Sequence, residues 1–171
     1  MFTKTDIEKY FMAEKSESLV FIIIGIVAII LALLFFFLLK TNFYKGIAVP
    51  FVLVALIQLT VGYTVYKRSD ADRKQNVYAY DLNPRNLRIR EIPRMEKVNK
   101  NFVLYRWVEI ALTIAGIILI FLYRSNPDKS FWYGVGLGLA IQAVIMLGMD
   151  YFAEARAKAY TNGLKEFAKT L

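Results

Sequence analysis

Three acidic side chains stand where an acid is costly. Glu109 lies about one turn inside an apolar run and three residues after Arg106, so the two share a helical face. Asp150 and Glu154 follow at the end of another apolar run; Gln142 falls well inside that same run and Gln58 well inside a third. Ionisable groups in a hydrocarbon setting are candidates for function by default. Two chemistries are open to these residues. Arg106 could bridge to Asp150 or Glu109 as a structural ion pair, or Glu109 could handle a proton or cation in a water-filled cavity. Gln58 and Gln142 read as interhelical hydrogen-bond partners, each bond worth roughly 0.6–2 kcal/mol.

Composition removes most other chemistry. The 171 residues include no histidine and no cysteine. Imidazole-ligated haem, thiolate metal sites, disulfides and catalytic thiols are therefore out. No nucleotide-binding glycine loop or nucleophile elbow is present: Gly134-Val135-Gly136 opens an apolar helix with no strand before it. No cofactor, metal or enzymatic activity is expected.

The elements that must position these groups are apolar helices. Hydrophobic residues make up 57% of the chain, against roughly 45–50% in a soluble domain, and mean hydropathy is +0.42. Four runs carry the excess: 19–39, 46–66, 107–123 and 131–149. Each is about 17–21 residues, enough to cross about 30 Å of hydrocarbon as a helix. The fold expected is an all-α integral membrane protein, a four-transmembrane-helix bundle. The first run is too long, and begins too late, for a cleavable signal peptide and is expected to remain as a signal anchor.

Orientation follows from the basic residues. Eighteen of the 22 lie in the N-terminal segment 1–18, the central segment 67–106 and the tail 151–171, and four lie in the two short hairpin turns. The positive-inside rule places both termini and the central segment in the cytoplasm. Compact loops with this bias fit a bacterial inner (plasma) membrane. Phe43, Tyr44, Tyr123, Phe131, Trp132 and Tyr133 would line the outer interface, and Tyr63, Tyr66, Tyr105, Trp107 and Tyr151 the inner one.

The spans group as two hairpins, 19–66 and 107–150. Phe43-Tyr44-Lys45-Gly46 resembles Phe131-Trp132-Tyr133-Gly134 at an offset of 88, where Tyr63 also falls on Tyr151 and Arg68 on Arg156. A tandem duplication and simple interfacial chemistry both explain this. Small residues mark packing faces: Gly134 and Gly138 on the fourth span, and Ala48, Ala55 and Gly62 at seven-residue intervals on the second. They would serve contacts within the bundle or a homo-oligomer interface, most plausibly on the glycine-rich face of the fourth span.

The polar segments read as helical extensions into the cytoplasm. Ile7, Tyr10 and Phe11 share a face after a cap at Thr5, and Tyr160, Leu164, Phe167 and Leu171 keep helical spacing, although Asn162-Gly163 could break the helix. Asp81-Leu82-Asn83-Pro84 predicts a turn, Leu87, Ile89 and Ile92 a short alternating strip, and Pro93 the start of a helix leading into the third span. The central segment 67–106 has eleven basic and five acidic residues. Lys67, Arg68, Arg73, Lys74, Arg88, Arg90 and Arg94 are its candidates for anionic lipid headgroups, each worth about 1 kcal/mol near a membrane surface. No nucleic-acid motif accompanies the charge.

The functional expectation is a non-enzymatic four-span scaffold, accessory subunit or partner-binding protein, toxin neutralisation included. Its partners would be lipids together with a second copy or another membrane protein. An ion channel or proton-coupled transporter using Glu109 and Asp150 is the alternative, and an anionic-lipid binder the third.

Overall fold

A computed structural model describes residues 2–170, almost all of them helical. Helix α1 spans Lys4–Leu34 and continues through a π-turn at Phe35–Leu39; α2 is Asn42–Leu82. A second π-turn, Leu87–Glu91, leads into α3, Ile92–Tyr123; a 3₁₀ turn at Pro127–Lys129 precedes α4, Ser130–Ala168. Each of the four is long and apolar enough to cross a membrane. Each also runs well past its apolar run, so the bundle has an apolar half and a polar half.

Local chemistry accounts for the boundaries. The first helix is capped at Thr3 rather than Thr5: the Asp6 carboxylate accepts from the Thr3 N–H at 2.8 Å and from its hydroxyl at 2.7 Å. Asp6, two residues closer to the start than Glu8, is the acid placed to close this box. Lys40 ends the first helix with a φ of 56°, and Thr41 then caps α2 by accepting from the Tyr44 N–H. The turn predicted at 81–84 is present, with α2 ending at Leu82. The strip Leu87–Ile92 is helical instead of extended. Its alternation belongs to a π-turn in line with α3, in which Leu87 and Glu91 face inward.

Helices α1 and α2 form one antiparallel hairpin, α3 and α4 the other, and the hairpins meet along the parallel pair α2 and α4. In the apolar half α2 is therefore the most enclosed helix, with half of its apolar window buried against 17% for α1 and 11% for α3. The closest approach is reciprocal. A Cβ on Gly46 would lie 2.1 Å from the Phe131 carbonyl oxygen, and one on Gly134 would lie 2.1 Å from that of Phe43. These residues are the pairs related by the 88-residue offset. Within the second hairpin Gly116 and Gly136 meet in the same way. Their offset partners in the first are Ala28 and Ala48, both buried in one cluster with Ala32, Phe51 and Ala55.

The small-residue faces are thus consumed within the chain. Gly134 and Gly138 pack on α2, the latter against Pro50 and the Ile47 backbone, and Gly62 packs on Ser18 and Ile22 of α1. The homo-oligomer interface expected on the glycine-rich face of α4 is occupied by α2. Only Gly148 faces open space.

The polar half has its own core: Ile7, Phe11, Leu87, Met95 and Leu164 are almost completely buried, and they come from the polar ends of α1, α3 and α4 and from the π-turn, with Ala79 of α2 in the same cluster. Tyr10 stacks on Tyr160 with centroids 4.1 Å apart. The helix does not break at Asn162-Gly163, and the missing Cβ at Gly163 makes room for the Phe2 ring. The Leu171 position lies outside the described residues.

Gly46→Ala and Gly134→Ala should each lower the thermal midpoint in detergent markedly, because two backbones must separate to admit the methyl group. Gly148→Ala should raise stability by up to about 1 kcal/mol through helix propensity alone. Thermal unfolding followed by circular dichroism checks both signs.

Candidate functional site

Where the apolar runs give way to the polar half, a belt of ion pairs ties the helices together. On the α1–α2 side, the mostly hidden Glu14 accepts from Ser69 at 2.9 Å and from Arg68 at 3.2 Å, and Arg68 also reaches Asp72. Lys15 pairs with Asp70, which also meets Arg73. Glu17 pairs with Arg156, joining α1 to α4. Glu154 of α4 is 6% exposed and lies 3.3 Å from Arg106 of α3 and 2.7 Å from Lys158. Arg68 and Arg156, which match at the 88-residue offset, both reach a glutamate of α1, the first within its own hairpin and the second across to the other.

Arg106 therefore bridges to Glu154, not to Asp150 or Glu109. The partners across the α3–α4 pair are set by helix register, and Asn99 with Thr161 and Glu96 with Lys165 fall in the same register. Asp150 lies one turn nearer the apolar half than Glu154 and is left beside Glu109.

Glu109 is the anomaly of this belt. It is 3% exposed, and neither carboxyl oxygen has a hydrogen-bond partner. The amide groups deeper in the apolar half are similar. Gln58 is fully buried with both amide atoms unpartnered, and Gln142 is buried with its amide oxygen unpartnered. The interhelical hydrogen bonds expected of the two glutamines are not formed. Leaving a buried polar group unsatisfied costs about 1–3 kcal/mol, more where it is charged. Two carboxyls side by side, Glu109 and Asp150, are equipped chemically to share a proton or to face a cation.

A second polar cluster lies in the core of the polar half. Glu91 is buried and binds Arg94 through two hydrogen bonds of 2.6 and 2.7 Å, while the guanidinium sits over the Phe11 ring. Burial is the largest single influence and opposes the Arg94 charge, but the hydrogen bond to Glu91 together with the nearby charges of Glu91, Tyr10 and Glu14 holds its pKa above the usual range. Burial likewise pushes the phenols of Tyr10 and Tyr160 up, aided by the nearby carboxylates of Glu14 and Glu91 respectively. Sequence reasoning missed Glu14 and Glu91. Glu14 continues the inward series Ile7, Tyr10, Phe11 and Ser18 at three- and four-residue steps, which would have marked it; Glu91 had no such signal, because the π-turn shifts the helical phase.

The lipid candidates are scattered along the long axis. The apolar run of α2 ends at Tyr66, and from Lys67 to Leu82 the helix advances about 24 Å. Lys67 stands beside the apolar half and is exposed; Arg68 and Arg73 are engaged by acids, Lys74 is exposed, Arg94 is locked to Glu91, and Arg88 and Arg90 sit at the far end. They do not form one surface.

Among the described residues no cluster of acids has metal-binding geometry. Glu109→Leu should raise the thermal midpoint, since it removes an unsatisfied buried carboxyl, whereas Glu154→Leu should lower it by removing the ion pairs that join α4 to Arg106 of α3 and to Lys158. Differential melting of the two variants in the same detergent decides between a structural and a non-structural Glu109. No known protein family, curated protein or solved structure matches this chain.

Proposed function

We propose that this chain is a four-span plasma-membrane protein with both termini in the cytoplasm, acting without catalysis as a scaffold or accessory subunit for a partner protein. The observation that carries this reading is the continuity of the helices. All four pass from apolar to polar half without a flexible joint, and the polar half packs a core of its own around Ile7, Phe11, Leu87, Met95 and Leu164. Such a bundle holds a rigid platform at a fixed distance from the bilayer. Orientation is supported by the eighteen basic residues at the polar end against four in the hairpin turns. The reciprocal fit of Gly46 and Gly134 supports a repeat of two hairpins of like orientation. Compact loops favour a bacterial inner membrane, and a membrane-directed toxin is one partner such a platform could neutralise.

Native mass spectrometry of the protein released gently from its own membrane tests this reading. A defined complex with a second protein or a second copy is expected, and a lone chain would count heavily against it.

A second reading is favoured by Glu109 alone: an ion- or proton-coupled transporter in which this carboxyl and Asp150 carry the coupled cation. A buried acid set beside a second carboxyl, with no basic group paired to it among the described residues, is a cost to stability that function would explain. Liposome flux that Glu109→Gln abolishes at unchanged expression is the expected result on this reading; equal flux in the variant removes Glu109 as the coupling group. The anionic-lipid reading is the weakest, because its basic residues are spread along the bundle or already engaged.

A further inference from the structure

The far end of the polar half carries a surface that nothing in the chain covers. The π-turn Leu87–Glu91 is fastened at both ends: Leu87 is 1% exposed in the core, and Glu91 is buried against Arg94. The three residues between them, Arg88, Ile89 and Arg90, all face outward, and Ile89 is 68% exposed. A π-turn adds a residue to the helical phase, so a short stretch is displayed that a regular helix would partly tuck in; such turns concentrate at functional sites. Across a groove of about 270 Å³, Arg90 and Asn86 face Tyr78 and Gln75 of α2. Tyr78 and Leu82, one turn apart on α2, are 65% and 67% exposed.

The charge here is uncompensated. Arg85, Arg88 and Arg90 are exposed, and none of them forms an ion pair among the described residues. The neighbouring acids are engaged elsewhere, Asp81 by Lys4 and Glu91 by Arg94. The tip therefore interleaves three free guanidinium groups with exposed aliphatic and aromatic side chains on a rigid backbone.

We propose that this tip docks an acidic amphipathic segment of a partner protein, its carboxylates on Arg85, Arg88 and Arg90 and its apolar side chains on Ile89, Leu82 and Tyr78. The proposal rests on the partner-binding reading and gives that partner a place and a chemistry. Charge complementarity demands an anionic occupant. The protein's own bilayer is out of reach, since α2 advances about 24 Å beyond its apolar run before the tip. Exposed Ile89 between Arg88 and Arg90, with exposed Leu82 on α2, favours a polypeptide over a nucleic acid, which would use a basic track with several stacking aromatics where this tip has Tyr78. Arginine with apolar and tyrosyl neighbours is also the composition that concentrates binding energy at protein interfaces.

The test uses the full chain in nanodiscs of zwitterionic lipid, with empty nanodiscs as background. The probe is a fluorescent helical peptide bearing glutamates on one face and leucines on the other; polyglutamate and oligothymidine are compared with it. The amphipathic peptide should bind more tightly than either. Arg88→Glu with Arg90→Glu should weaken it by about tenfold or more, and Ile89→Ser by about tenfold; all three positions are exposed, and unchanged thermal midpoints check that the fold is intact. Binding no tighter than polyglutamate, tighter binding of oligothymidine, or indifference to the arginine reversals would each overturn the proposal. Native complexes that survive while the peptide fails overturn the tip and leave the scaffold reading standing. Arginine-dependent peptide binding to a chain that forms no native complex does the reverse.

Discussion

The contact on which the bundle depends is the approach of α2 to α4 at Gly46 and Gly134. At that point each backbone occupies the space that a neighbour's Cβ would need. In the bilayer setting proposed above, burying another leucine would gain little over leaving it exposed, and close backbone packing would be the main source of helix affinity. The contacts between the two hairpins run mainly through α2 and α4, continuing from this crossing to Gly138 against Pro50. Everything at the polar end inherits its geometry from this crossing: two parallel helices set side by side at one end present α1 and α3 to the same core at the other.

That second core obeys different rules. Its residues are large, aliphatic and aromatic, and they are buried by an interdigitation typical of aqueous interiors. Phe2 fits over Gly163, Tyr10 stacks on Tyr160, and Leu87 closes the end. Between the two packing regimes lies the belt of ion pairs, partly solvated and formed mainly between helices. Individually such pairs contribute little. Together they fix helix register at the level where neither small-residue contact nor the distal core controls it.

Within this consistent design the unsatisfied groups stand out. Gln58, Gln142 and Glu109 are buried without the partners their neighbours possess. The Tyr160 hydroxyl in the polar core is likewise buried without a partner, and disagreement of this kind between pattern and packing concentrates where function opposes stability. The exposed tip differs in character: it is not strained, but it is left open, with its flanking residues pinned so that the open ones stay fixed.

Hydropathy and periodicity along the chain marked the four apolar helices, the inward faces of the polar extensions and the small residues where helices touch, while several ends of the apolar runs fall inside longer helices. These are local quantities: hydropathy, periodicity and side-chain size act over one or two turns and can be read along a line. The tertiary structure alone decided which small residue meets which, that the glycine face of α4 is used internally, and that Arg106 takes Glu154 in place of Asp150. It also decided that Glu109 is left unpartnered and that Arg88 and Arg90 stand far from Lys67. Those outcomes depend on the register between helices, where a shift of one turn moves a side chain by about 5.4 Å and exchanges one partner for the next. The π-turn at Leu87–Glu91 belongs with them, since its extra residue changes the phase that a regular helix would have carried forward and so selects which side chains remain outside.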